Sequence, residues 1–288
     1  MDLKTSLSAK LSETELNLLP RALEVVGDIA ILELPDELIS KKKAIANAVF
    51  DVQKNVKVVL NKVGEVEGIF RIPKMEIVAK RAREFEGIPK KFMPKAFTET
   101  VHRESGCRYK VDVSKAYFSA RLSGERERIA SQVKSRERIL CLFAGVGPFA
   151  ILPAKRKNVK IVAIEINPDA VEYIRENIEM NKIAEKIEVL LGDVAEVLPK
   201  IKGKFNRIIM PAPKNAADFL ELALTKAKKG AIIHLYTFAP VEVIGALGEK
   251  IKARCITAGT NVDILQVRKA GEIGAYNFRV AVEIKVLN

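Results

Sequence analysis

The sequence predicts an α/β chain of two domains, with a doubly wound, parallel-sheet domain in the second half and a smaller α+β domain before it. Two observations carry this. From Arg138 onward apolar runs and helix-length segments alternate, which is the pattern of βα units joined by crossovers. Before that point short apolar runs predominate, separated by Gly, Pro and charged residues, with few helical segments among them. Residues 1–112 are assigned to the first domain and 113–288 to the second.

In the first domain Ser12-Glu13-Thr14-Glu15 reads as a helix start, because serine caps and acids complement the dipole. Glu24 to Pro35 reads as two short strands around a Gly27-Asp28 turn, and Leu38 to Phe50 as a helix. Val56–Leu60, Ile69–Pro73 and Met75–Ala79 continue as strands. Residues 80–95 are dense in cations and broken by Gly87, Pro89 and Pro94, which predicts an exposed loop. Its Lys80, Arg81, Arg83, Lys90, Lys91 and Lys95 suit phosphate neutralisation, and a solvated loop explains them equally well. Residues 98–112 alternate as a hairpin with Ser105-Gly106 at its tip, and the lone His102 on it reads as structural.

The second domain opens on Ser123-Gly124-Glu125, where serine is placed to cap a helix and an acid in the first turn is explained by the dipole alone. Elements follow at 138–143, 149–157, 160–165, 169–181, 186–191, 215–229 and 230–237, with a last pair near 252–257 and 277–286. The first strand runs into Phe143-Ala144-Gly145-Val146-Gly147, a small-residue turn whose glycines tolerate positive φ and let backbone approach a ligand. Eighteen residues after Gly147 the next strand ends in Glu165, positioned to accept ribose hydroxyls at the carboxyl edge of the sheet. The third strand ends in Asp193, which suits either an exocyclic amine of a base or a helix cap. The fourth ends in the stiff loop Pro211-Ala212-Pro213. Together these point to a nucleoside-cofactor site.

Composition narrows the partners. Lys and Arg number 49 against 36 acids, a net charge of +13 with a pI near 9.5, which favours a polyanion such as nucleic acid. The three cysteines have no paired spacing and no histidine beside them, so neither a disulfide framework nor a metal site is expected. No apolar run is long enough to span a bilayer and no signal core follows the start, so a cytoplasmic protein without membrane association is expected.

The segments Phe118-Ser-Ala-Arg-Leu-Ser-Gly-Glu-Arg126, Leu142 to Phe149, Glu165-Ile-Asn-Pro168, Glu176 to Lys182, Gly192-Asp193 and Ile233-His-Leu-Tyr236 occur together and in order. With them the chain closely resembles the archaeal and eukaryotic tRNA (guanine-N1)-methyltransferases, which modify the guanosine 3′ of the anticodon. The resemblance covers about residues 20–288. It implies a Rossmann-like class I methyltransferase domain preceded by an α+β RNA-contacting domain, S-adenosyl-L-methionine as cofactor, and the tRNA anticodon stem-loop as partner of a monomer. It makes Glu125 the candidate base and Arg71 the candidate cation for O6. Phe118, Arg121, Phe143, Ala144, Gly145, Val146, Gly147, Glu165, Ile166, Asp193, Val194 and Pro211 are then cofactor-site candidates. Lys90, Lys91, Lys95 and Arg121 are RNA-contact candidates, and no metal is implied.

Three features depart from the family. Cys141 stands where an acid is usual, Pro211 replaces the asparagine of an Asn-Leu-Pro loop, and the small domain that contacts the outer corner of tRNA is expected to be absent. Phe118–Arg121 and Phe143–Phe149 are more similar to the N1-methylating branch than to the aminocarboxypropyl branch. Two alternatives remain beside N1 methylation: another transfer on the same nucleotide in wyosine or wybutosine synthesis, and an RNA-binding homologue with impaired catalysis.

Overall fold

The computed structural model describes residues 2–20, 23–64, 70, 72, 74–212, 214 and 216–288. The chain divides into two compact units, Met1–Ala120 and Arg121–Asn288. Residues 113–120, grouped with the second domain on sequence, fall in the first unit. Phe118 accounts for this, since its ring is buried against His102 and Tyr109 of the hairpin, with centroids 5.1 and 5.9 Å away.

In the first unit strands β1 (Glu24–Val26), β2 (Ile29–Leu32), β3 (Val58–Lys62) and β4 (Met75–Lys80) form one sheet in that order. The central β2–β3 pair is parallel and the two outer pairs are antiparallel. Helix Lys42–Val52 turns Ile45, Ala46, Val49 and Phe50 onto a core shared with Leu32 and Val59. The helix start expected at Ser12 is a full capping box, closed by Glu15. Strands β5 (Glu99–Glu104) and β6 (Cys107–Asp112) make the expected hairpin. Ser105 and Gly106 at its tip both have positive φ, 49° and 76°, as a two-residue hairpin turn matching strand twist requires.

The second unit is a seven-stranded sheet ordered β12-β13-β11-β10-β7-β8-β9. Strands β7 (Arg138–Leu142), β8 (Lys160–Glu165), β9 (Ile187–Leu191), β10 (Phe205–Met210) and β11 (Ala227–Pro240) are mutually parallel. Strands β12 (Val262–Gly274) and β13 (Asn277–Val286) close the edge antiparallel, so the sheet is mixed rather than wholly parallel. The segment near 252–257 ends a helix, Ile244–Thr257, whose Ile251 and Cys255 are buried at helical spacing. Strand β12 has no counterpart among the sequence expectations.

The register sets the site. Leu142 pairs with Ile164, Glu165 with Leu191, Ile209 with Cys141, and Met210 with Leu235. The residues one step further along, Phe143, Pro211 and Tyr236, therefore stand level with Glu165 at the carboxyl edge of the parallel strands. That is where open α/β sheets bind their ligands.

Candidate active site

The turn after β7 is held in one shape. Gly147 is left-handed, with φ 90°, and caps helix Pro148–Arg156, whose first residue is a proline. A Cβ on Gly147 would lie 2.5 Å from Ile174 Cγ1, so both conformation and packing demand glycine. Phe143 also has positive φ, 54°, and its ring meets Phe219 edge-on at 5.3 Å. Asn177, fully buried on helix Pro168–Met180, donates from Nδ2 to the Val146 carbonyl at 3.1 Å.

Glu165 reaches across this turn. Its Oε2 accepts the Gly145 N–H at 2.7 Å and its Oε1 accepts the Asn167 N–H at 2.9 Å. Burial raises its pKa, and the backbone donors of Asn167, Gly145 and Ile166 only partly oppose this. The carboxylate keeps accepting capacity beyond these backbone donors, which suits a ribose hydroxyl. Asp193 accepts the Ala195 N–H at 2.7 Å and caps the short helix Val194–Val197, so the capping role is present; one oxygen remains for another partner. Val194 is buried, while Pro211 and Ala212 are half-buried. Cys141 lies fully buried within β7, and burial, with a smaller push from Glu165, raises its thiol to about 12. It is a neutral, packed side chain where an acid was expected from the resemblance.

Glu125 sits in the first turn of helix Ser123–Gln132 and is 6% exposed. Ser123 is itself helical, and the cap residue is Leu122 with no side-chain bond, so the expected serine cap is not formed. Glu125 is held by three partners. Arg128 donates from Nη2 to Oε2 at 2.9 Å, Tyr236 donates its hydroxyl to Oε2 at 2.6 Å, and Arg268 Nη1 lies 3.0 Å from Oε1. Burial raises the pKa of Glu125, but these partners outweigh it and the net shift is downward. The carboxylate is therefore ionised at neutral pH. Tyr236 in turn packs its ring 5.9 Å from Phe149, two residues beyond Gly147, which sets Glu125 beside the glycine turn.

A buried polar chain continues inward from this carboxylate. Arg128 pairs with Glu283, to which Gln132 Nε2 also donates at 2.9 Å. His234, fully buried and directly opposite Glu283 in the β11–β13 ladder, faces it with Nδ1 at 3.4 Å. Arg207 lies 2.6 Å from His234 Nε2 and pairs with Glu137 through two bonds. A guanidinium only donates, so Nε2 is the acceptor and Nδ1 carries the proton. Burial first, then Arg207 and Arg128, push the His234 pKa well down and keep the ring neutral.

In the first unit Lys90, Lys91 and Lys95 are exposed, the first two on the turn Lys90–Phe92. Arg83 is committed elsewhere, gripping Asp28 through two bonds of 2.7 Å, so it is not an open cation of that loop. His102 Nδ1 accepts the Gly27 N–H at 3.1 Å, a structural role. Arg121 is exposed, and Arg71 lies outside the described residues. Among the described residues no cluster of His, Cys, Asp and Glu is arranged to hold a metal, and no helix is long and apolar enough to cross a membrane.

Residues 100–264, more than half of the chain, match the TRM5/TYW2 methyltransferase domain. The chain belongs to the TRM5/TYW2 methyltransferase family. Residues 3–79 of this TRM5/TYW2 methyltransferase match the TYW2 N-terminal domain. It is 37% identical over 269 residues to the tRNA (guanine(37)-N(1))-methyltransferase Trm5b of Pyrococcus abyssi, spanning 93% of this chain and 76% of that protein. The crystal structure of that Trm5b superposes with a TM-score of 0.82 at 35% identity, over 96% of this chain and 79% of the other. The tRNA 4-demethylwyosine(37)-methyltransferase Taw21 of Saccharolobus solfataricus is 36% identical over 223 residues, 75% of this chain and 78% of its own. The structure of TYW2 from P. horikoshii in complex with MeSAdo superposes with a TM-score of 0.75 at 28% identity, over 99% and 98% of the two chains.

Proposed function

We infer that this protein transfers the methyl group of S-adenosylmethionine to N1 of the guanosine at position 37 of tRNA. The observation that carries the reading is the ionised carboxylate of Glu125 tied through Tyr236 to the glycine turn, within a chain 37% identical to an enzyme of that activity. The donor set fits the cofactor. Glu165 is the acceptor for the ribose hydroxyls, Asp193 for the adenine amine, and the backbone of Phe143 to Gly147, with Ile166, Val194 and Pro211, forms the surrounding wall. When bound, S-adenosylmethionine supplies a methyl group activated by its sulfonium.

Guanine N1 carries a proton and is a poor nucleophile until that proton leaves. Glu125 receives it. The negative charge then resides largely on O6, where a neighbouring cation lowers the barrier. Because N1 lies on the Watson–Crick edge, the base must leave its stack to reach the carboxylate. The first unit, with Lys90, Lys91 and Lys95, is the anticodon stem-loop contact, aided by Arg121 beside the catalytic helix.

Mass analysis of nucleosides from an unmodified tRNA transcript incubated with protein and S-adenosylmethionine tests this. 1-Methylguanosine at position 37 is the expected product. Product formed only on tRNA carrying 4-demethylwyosine would reverse the assignment in favour of the Taw21-like reaction, and cofactor binding with no product on either would favour an RNA-binding homologue. Glu125→Gln is expected to slow single-turnover methylation by about 10²- to 10⁴-fold.

A further inference from the structure

The three partners of Glu125 are not equivalent. Tyr236 is fully buried, and Arg128, 15% exposed, is anchored at its far side by Glu283. Arg268, from β12, is 39% exposed and bonds only the Oε1 side. Oε2 is enclosed by Tyr236 and by Arg128 Nη2, with Arg128 Nε shared between both oxygens at 3.1 and 3.3 Å. An incoming base can therefore reach this carboxylate only at Oε1, and it meets Arg268 there.

An acceptor, Oε1, and a charged donor, Arg268 Nη1, thus stand side by side. Guanine presents the complementary edge, with N1–H donating and O6 accepting on adjacent atoms. Adenine presents the reverse pattern, an acceptor at N1 beside a donor at N6, which would set a lone pair against the carboxylate. Resting on the methylation of guanosine N1 inferred above, we propose that Arg268 is a further catalytic and specificity-determining residue, which leaves Glu125 when guanine enters and donates to O6. As the N1–H bond breaks, its proton passes to Oε1 and the electron pair left on N1 delocalises onto O6, facing the guanidinium. The exchange also strengthens the base: Arg128, Tyr236 and Arg268 are the charged and titratable groups that face Glu125, all three hold its pKa down, and Arg268 is the one able to leave.

The test is a cycle between residue and substrate atom. Wild type, R268Q and R268K are compared in single turnover on tRNA transcripts carrying guanosine or 6-thioguanosine at position 37, with S-adenosylmethionine affinity measured by calorimetry. On guanosine, R268Q should be slower by roughly 10- to 100-fold, the range of a hydrogen bond to a charged group. The sulfur substitution should slow wild type but not R268Q, R268K should recover part of the loss, and S-adenosylmethionine affinity should not change. At subsaturating tRNA, where the rate reports the free enzyme and its Glu125–Arg268 pair, the acid limb of the R268Q pH–rate profile should also move to higher pH. If R268Q slows both substrates by one common factor, or if it abolishes cofactor binding, Arg268 does not contact O6 and the proposal fails. Absence of 1-methylguanosine with wild type overturns the functional reading itself, and nucleoside analysis shows this before any variant is compared.

Discussion

Tyr236 donates its hydroxyl to Oε2 of Glu125 at 2.6 Å, so strand β11 fixes the aim of the carboxylate on the helix Ser123–Gln132. Removing the hydroxyl in Tyr236→Phe takes away a contact that lowers the Glu125 pKa. The folded-state pKa should rise, moving the acid limb of the pH–rate profile upward. Glu125 contributes stability above its unfolded pKa that is lost as pH falls through the depressed folded value; the variant should lose about 1 kcal/mol of this at neutral pH, read from denaturant titrations at two pH values.

Gly147→Ala tests the turn. Its φ of 90° and the 2.5 Å approach to Ile174 both oppose a side chain. A cost of about 1–3 kcal/mol is expected, seen as a lower Tm, with cofactor affinity down at least roughly tenfold by calorimetry.

Glu165 carries a raised pKa because it is buried. Protonation removes its acceptor capacity, so S-adenosylmethionine affinity should begin to fall at a higher pH than an ordinary carboxylate would dictate. Calorimetry across the acid range checks this. In Glu165→Ala the affinity should be low at every pH and lose that dependence, with tRNA affinity retained.

Lys90, Lys91 and Lys95 are exposed on the first unit. Replacing all three by alanine should reduce the slope of log affinity for tRNA against log salt by about 2–3, since each phosphate contact contributes roughly 0.7–0.9. An unchanged slope would remove the loop from the RNA interface.

The glycine turn, Glu165 and Asp193 were legible in the sequence because each ends an apolar run, and a strand end points its next residue at the ligand edge. The hairpin tip was legible because Ser105-Gly106 interrupts a period-two alternation. Strand β12 was not legible, since its outer half, Arg268 to Gly274, mixes charge and glycine with little alternation and is defined by pairing to β13. Arg268 was therefore invisible as a partner of Glu125. So were Arg128, Glu283 and His234: Arg128 meets Glu283 across 155 positions, and His234 meets it only through the register of β11 and β13. Asn177 lies in the Glu176–Lys182 segment that carries part of the resemblance, and the approach of the Val146 carbonyl gives it a task. Cys141, which stands where an acid is usual, is a small side chain buried within β7.

A polar seam from Glu125 through Arg128, Glu283 and His234 to Arg207 and Glu137 ties the helix Ser123–Gln132 to the sheet, beside its buried Ile129 and Ala130. The desolvation penalty of such groups falls on heating, whereas hydrophobic stabilisation per unit area levels off. Heat therefore loosens this attachment less than it would an oily one, and the placement of the helix that carries Glu125 should hold as temperature climbs.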